Sequence, residues 1–313
     1  MSAKQSIAVC LVTWNGGPIA AGSLQSALRQ EQVDPFVIVV DNNSGAGDRQ
    51  ALLTCAGSDP RVEFVWNETN RGFAAAANQG IERALARGCR WVLLLTQDTI
   101  LKPNTCRTLL EVAEEIPNVG IVGPVVIDRS SRRVLSVGER VRASLLALPR
   151  ALIRYRATRE PYRLVEGVVG CCLLLAVSCW ERLGGFREDL FAYYEEVDLC
   201  LRARQHGYQI AVVPRAEVEH EGWRGFGRGL TPTSAALKSR NLLLLVRAHV
   251  PWWQWVIAIP LVSCLLVSST ILYAARGQWR VVAAMLRGVR LGVAGRAGAL
   301  HNPPLDGHPC VLP

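Results

Sequence analysis

The residues best placed to do chemistry in this chain of 313 residues are carboxylates that stand where apolar runs stop. "WVLLLTQD" ends on Asp98 and "FVIVVD" ends on Asp41. A charge at the end of a buried strand must be solvated, paired or bound to a metal, because burying it alone is very costly. Singly, each has an ordinary reading. Asp41 opens Asp-Asn-Asn-Ser, which is good turn chemistry, and Asp98 is a turn or capping residue ahead of Pro103. Together they lie at one edge of one sheet, and ligands of open parallel sheets bind at the carboxyl ends of the strands. A further acidic group, Glu195, Glu196 and Asp198 in "YYEEVDLCLRA", falls at a helix start, where the dipole favours negative charge. His220, in "VEHEGW", follows another strand.

The elements that must position these groups are legible as alternating strands and helices. Strands are expected over Ile7–Thr13, Phe36–Ser44 (ending in a polar turn), Arg61–Trp66, Trp91–Leu95, Val119–Ile127, Gly170–Val177 and Gln209–Pro214. Helices are expected over Ile19–Arg29, the Ala-rich Gly72–Gly88, Pro103–Glu115, a short segment closed by Gly184-Gly185, and Glu195–His206. Continuous apolar strands alternating with helices predict an α/β fold with a mostly parallel sheet covered on both faces. The Arg-rich stretch 128–163 has no clear pattern and reads as an insertion or mobile loop.

Charge divides the chain. The net charge is +9. Residues 1–221 are balanced, whereas residues 222–305 hold ten Lys/Arg and no acid. A basic C-terminal part implies an anionic partner for that part. "VIAIPLVSCLLVSSTILYAA" (256–275) is long enough to cross a bilayer core. Trp252, Trp253 and Trp255 precede it and Tyr273 ends it, as interfacial anchors do. "RVVAAMLRGVRLGVAGRAG" (280–298) reads as a basic amphipathic helix suited to an anionic surface. One span, a re-entrant segment and an in-plane anchor all fit, and packing as soluble core helices fits less well. The division expected is a catalytic domain over 1–235, a membrane-associated helical region over 236–299 and a disordered tail over 300–313. The ten cysteines form no C-x-x-C and no zinc spacing, which favours reduced thiols in a cytosol. The N-terminal apolar run stops at Asn15-Gly16-Gly17-Pro18, so it reads as a strand rather than a signal peptide.

Six ordered segments carry a resemblance: "VTWN" (12–15), "VDNNS" (40–44), "NRGFAAAANQG" (70–80), "LLLTQD" (93–98), "LGGFREDLFAYYEEVDLCLRARQHGY" (183–208) and "VPRAEVEH" (213–220). In these the chain resembles a family 2 inverting glycosyltransferase with the GT-A fold, and "LLLTQD" most resembles rhamnosyltransferases. The resemblance implies a nucleotide-diphosphate sugar held with a divalent Mg²⁺ or Mn²⁺ ion, and displacement of the nucleotide by an acceptor hydroxyl with inversion. It implies that Asp41 accepts a hydrogen bond from the nucleobase, and that Thr13, Asn15, Asn43, Arg71, Gly72, Asn78 and Gln97 lie along the nucleotide. Asp98 and His220 become metal ligands, a donor set that suits a hard cation beside phosphate oxygens. Glu196 becomes the general base, and Glu195, Asp198 and Trp223 contact sugar or acceptor. Arg224 and Arg228, in the glycine-rich "GWRGFGRG", become candidates to close over the phosphates.

Two positions depart from the family's pattern. The first residue of its Asp-x-Asp pair is Thr96 here, and Glu196 stands where relatives usually have aspartate. The implied function is transfer of a sugar, with L-rhamnose from dTDP-rhamnose as one donor, to a glycan or lipid-linked acceptor in cell-surface polysaccharide synthesis. The implied location is the cytoplasmic face of a bacterial inner membrane, without a nucleic-acid partner. A catalytically impaired, membrane-anchored sugar-nucleotide binding or scaffold protein is the alternative that Thr96 and Glu196 favour. A nucleotidyltransferase fits less well, because "TWNGGPIAAG" has glycines but no basic residue.

Overall fold

A computed structural model describes residues 5–139, 160–221 and 230–300. Strands and helices alternate first: β1 (Gln5–Thr13), α1 (Gly17–Leu28), β2 (Val33–Asp41), α2 (Ala46–Ala56), β3 (Val62–Trp66), α3 (Phe73–Ala86) and β4 (Trp91–Thr96). A less regular middle follows: β5 (Thr99–Leu101), α4 (Thr105–Glu115), β6 (Val119–Asp128), β7 (Val134–Ser136), β8 (Arg163–Leu164), β9 (Cys172–Ala176), α5 (Val177–Leu183), α6 (Glu195–Gln205) and β10 (Gln209–His220). The chain ends in helices α7 (Pro232–His249), α8 (Trp255–Ala275) and α9 (Trp279–Val293).

The sheet runs β3-β2-β1-β4-β9-β6-β10-β5. Its first four strands are parallel. β9 enters antiparallel between β4 and β6, and β5 pairs antiparallel with the end of β10. The sheet is therefore mixed but mostly parallel. β1, β2 and β4 are buried almost throughout because both faces are covered. In α3, Ala74, Ala75, Ala76 and Ala77 are all buried, and these small side chains let the helix lie close on β1 and β2.

Register puts the chemistry on one edge. Thr13 lies opposite Asp41 and Asp41 opposite Trp66. Thr96 pairs with Val12, so the chain passes the sheet edge within two residues, at Asp98. β10 then brings His220 opposite Thr99. A register shift between Val213 and Glu217 lets β10 run on past the strand end expected at Pro214.

The division expected near residue 235 falls inside α7. Thr231 caps this helix, its hydroxyl accepting from the Ser234 amide at 3.2 Å. Leu244 and Leu245 of α7 share an apolar cluster with Leu190, Val197 and Leu201, so α7 packs as part of the body that carries α6. α8 is the helix among the described residues long and apolar enough to cross a membrane. Of the 128–163 stretch, β7 and an isolated bridge from Glu139 to Gly167 are ordered into the sheet region, while 140–159 lie outside the described residues. Most of the expected tail (301–313) and the Trp223, Arg224 and Arg228 loop also lie outside them.

Candidate active site

Asp98 is 3 % exposed. Its Oδ1 accepts from the Thr96 hydroxyl at 2.7 Å and lies 3.4 Å from His220 Nε2. Its Oδ2 has no hydrogen-bond partner among the described residues. Burial pushes the carboxyl above its ordinary value, against the lowering effects of His220 and Thr96. The Glu221 amide donates to the Asp98 carbonyl at 2.7 Å and fixes the end of β10 to this turn. Thr96 thus supplies a hydrogen-bond donor where a second carboxylate would add repulsion, and it fixes Asp98 by one oxygen while leaving the other available. A carboxylate oxygen and an imidazole nitrogen, both buried and adjacent, suit two of the positions around a divalent cation.

Asp41 is arranged the same way. Its Oδ1 accepts from the Ser44 amide at 3.0 Å and from Arg49 Nε at 2.7 Å, and its buried Oδ2 has no partner among the described residues. Arg49 also reaches the Asn67 carbonyl at 3.0 Å and lies over the Trp66 ring, which stacks on Phe64. Asn15, at φ +50°, accepts from the Gly45 amide at 3.0 Å and donates its own amide to Ser44 at 2.8 Å, so the loops after β1 and β2 brace each other. Asn43 is exposed at φ +69° beside them. Asn42 accepts from the Arg71 amide at 3.0 Å and donates to the Gly72 carbonyl at 3.0 Å, holding the start of α3 to this edge. The Arg71 side chain is exposed. Gly72 has φ +87°, and a Cβ there would lie 2.5 Å from the Phe191 carbonyl, so only glycine fits. Gln97 Oε1 accepts from the Thr13 hydroxyl at 3.0 Å and the Trp14 amide at 2.7 Å, joining the ends of β1 and β4.

Glu195 and Glu196 form the first turn of α6, both nearly buried. Glu196 packs on Gly170, where an added Cβ would sit 3.3 Å from the Glu196 Cβ. From Gly170 the chain enters β9, and the Cys171 carbonyl accepts from the Thr96 amide at 3.0 Å. Glu196 is thereby brought to the same edge as Asp98.

Two expected site residues have other duties. Asn78 donates to the Phe186 carbonyl at 2.9 Å and accepts from the Phe186 amide at 2.8 Å, and it also reaches Glu188, so its amide holds that turn. Asp198 is fully buried and meets Arg202 Nε at 2.7 Å and His249 Nε2 at 2.8 Å, so its carboxylate is held by cations of the fold. Burial pushes its carboxyl up, but His249 and Arg202 outweigh that and hold it below the ordinary value. A depressed folded value means stability that is present above the unfolded pKa and lost as pH falls through the folded one. Asp198→Asn is therefore expected to unfold at lower temperature at neutral pH, with the gap to wild type closing on acidification. A gap independent of pH, in melts from neutral to acid buffer, would refute this.

The support beneath α6 has no local signature in the sequence. Phe191, Tyr193 and Tyr194 have φ of 66°, 72° and 71°, which costs non-glycine residues about 1–3 kcal/mol each. Asn241 of α7 stabilises this loop: its Nδ2 shares two hydrogens among the carbonyls of Leu190, Ala192 and Tyr193 at 2.9, 2.8 and 2.8 Å. Arg240 Nη2 donates to Leu190 at 2.9 Å and Nε to Asn241 Oδ1 at 2.9 Å, and burial pulls the guanidinium down to about 10. Asn241→Ala takes this donor from the Ala192 and Tyr193 carbonyls, while Leu190 keeps Arg240, at ~1–3 kcal/mol per group left unsatisfied. It should lower the melting temperature, and it should reduce kcat more than donor KM because the start of α6 loses its support. An unchanged melting temperature would show that the loop holds itself.

Solved structures share this architecture. The chain superposes on GalNAc-T7 with UDP, GalNAc and Mn²⁺ at a TM-score of 0.60, with 17 % identity, covering 79 % of this chain and 49 % of that one. It superposes on a mannosyltransferase of Pyrobaculum calidifontis in complex with GDP-Man and Mn²⁺ at 0.56, with 19 % identity, covering 94 % and 89 %. The fold is that of the GT-A class. Residues 8–183 match the profile of glycosyl transferase family 2, and the chain belongs to that family. It is 29 % identical to the N-acetylglucosaminyl-diphospho-decaprenol L-rhamnosyltransferase of Mycobacterium tuberculosis, over 88 % of this chain and 97 % of that protein. It is 24 % identical to the dTDP-rhamnosyl transferase RfbF of Shigella flexneri, over 79 % and 82 %. The protein is a glycosyltransferase with rhamnosyltransferase relatives.

Proposed function

We propose that this glycosyltransferase moves L-rhamnose from dTDP-rhamnose to a lipid-linked glycan acceptor with inversion, at the cytoplasmic face of a bacterial inner membrane. The observation that carries the site is the buried Asp98 carboxylate, whose Oδ1 lies 3.4 Å from His220 Nε2 and whose Oδ2 has no partner among the described residues. The names of the rhamnosyltransferase relatives support the donor and the lipid-linked acceptor.

In this reading Asp41 Oδ2 accepts a hydrogen bond from the nucleobase, with Arg49 and Ser44 holding the carboxylate in place. Asp98 and His220 hold a Mg²⁺ or Mn²⁺ ion. Bound there, the ion supplies counter-charge for the departing diphosphate. Glu196 accepts the proton of the acceptor hydroxyl as that oxygen bonds to the anomeric carbon and the bond to diphosphate breaks. One displacement at that carbon inverts its configuration.

The test is nucleotide binding by the full-length chain in detergent, using dTDP, UDP and GDP and their sugars, each with Mn²⁺, Mg²⁺ or EDTA. Metal-dependent binding that is tightest for dTDP-rhamnose is the expected result. Preference for a UDP or GDP sugar would overturn the donor assignment, and binding unaffected by EDTA would overturn the metal site.

A further inference from the structure

We infer that α8 is an in-plane anchor seated in one leaflet of an anionic membrane, and that it does not span the bilayer. The inference rests on the membrane reading proposed above and specifies its geometry. By length alone α8 could cross, since its 21 residues extend about 31 Å. How the helix is held decides otherwise.

Ala258, Val262 and Tyr273 are its buried residues, and Leu265, Leu266, Ser269 and Thr270 between them are half-buried. At helical spacing these positions form one stripe along the whole helix. The start of that stripe clusters with Leu242, Val246 and Val250 from the end of α7. Its end, Tyr273, clusters with Ala235 and Ala236 from the beginning of α7 and with Val281, Val282 and Met285 of α9. α8 therefore runs back along α7, which is itself fixed to the loop before α6 through Arg240 and Asn241.

After α8 the chain returns to the same body. α9 approaches α7 so closely that a Cβ at Gly288 would sit 2.2 Å from the Ala236 carbonyl, and one at Gly292 2.9 Å from the Arg240 carbonyl. The Gly298 amide then donates to the Asp189 carbonyl at 2.6 Å, and Leu300 packs against the core. A span would carry α9 across the membrane and break all of these contacts.

The outer side of α8 fits lipid. Val256 is 75 % exposed, and Ile259, Val267 and Ile271 are exposed with it. Trp252, at 81 %, and Trp253 stand at one end, with Trp279 at the other. Arg276 and Arg280 are exposed beside Trp279, and no acid occurs from residue 222 to 305. That rim complements anionic headgroups. Interfacial helices usually carry a polar face, and α8 has none because the protein occupies that side.

The experiment uses the full-length chain with different epitopes at its two ends, expressed in bacterial cells. Inside-out and right-side-out membrane vesicles are treated with protease, and purified protein is sedimented with phosphatidylglycerol vesicles. Both epitopes should be removed together from inside-out vesicles and survive together in right-side-out ones. Epitopes on opposite sides would overturn the in-plane seating while leaving membrane association intact. Failure to sediment with phosphatidylglycerol vesicles, or a detergent-free soluble dimer, would overturn the membrane reading itself. The exposed double variant Trp252→Ser/Trp253→Ser should weaken vesicle binding by about tenfold while donor binding in detergent is unchanged; undiminished vesicle binding would remove these tryptophans, and the face they border, from the contact.

Discussion

Asp98→Asn is expected to lose about a thousandfold in kcat with dTDP-rhamnose, the order of effect that follows from removing a several-kcal/mol charge stabilisation, and to melt no lower than wild type in the absence of metal. The two halves of this result have one cause. In the protein alone, Asp98 carries a buried charge whose Oδ2 has no partner among the described residues, and burial outweighs His220 in raising its pKa. An amide of the same shape keeps the bond from Thr96 and removes the buried charge. If Asp98 and His220 were instead a structural ion pair, breaking it would cost about 3–5 kcal/mol. Thermal melts with and without Mn²⁺ and a nucleoside diphosphate separate the cases. A lower melting temperature in EDTA would mean a structural pair. A metal-induced rise present in wild type and absent in the variant would mean a ligand.

What the sequence disclosed follows from where the deciding partners lie. Asp41 and Asp98 were legible because a charge that ends an unbroken apolar strand requires an explanation from local sequence alone. The parallel half of the sheet was legible for the same reason, since β1, β2 and β4 are buried on both faces. α2 was missed because only Leu52 and Ala56 are buried in it and glycines surround its start, so its apolar period is weak. The direction of β9 could not be read, because an apolar pentapeptide looks the same in a parallel and an antiparallel ladder. β5 is only three residues long and owes its pairing to β10, more than a hundred residues later.

The support of the site was hidden for a different reason. Nothing beside His249 in the sequence gives it a partner, yet its Nε2 reaches Asp198 across 51 residues. Asn241 and Arg240 sit in a Leu-rich helix that the charge pattern assigned to a membrane region. Their partners are main-chain carbonyls, which carry no side-chain signature. The one local clue was Arg202, four residues after Asp198 on the same helix. The same long-range ties join the two expected domains, since α7 serves both the loop before Glu195 and the seat of α8.

Glu196→Gln tests the chemistry most directly. The change preserves shape, exchanges one acceptor oxygen for an NH2 donor and removes basicity, so kcat should fall by about 10²–10⁴ while nucleotide affinity stays at the wild-type value. Glu196 lies against Gly170, whose backbone leads through Cys171 to Thr96, so the carboxylate is held at the edge that carries Asp98. Against catalysis stands the simpler role of an acid in the first turn of α6, where the helix dipole favours it along with Glu195. That role predicts a modest stability loss, about 0.3–1 kcal/mol, and little change in turnover. Glu196→Asp sharpens the comparison, because it keeps the charge at the helix start and withdraws the carboxylate by one methylene. If proton transfer is the function, Glu196→Asp should be intermediate in kcat and Glu196→Gln nearly inactive, with equal melting temperatures for wild type and Asp. If the dipole is the function, Asp should match wild type in both measurements and Gln should lose only stability. Wild-type turnover by Glu196→Gln would assign the proton to another group and leave the family membership and the Asp98 site untouched.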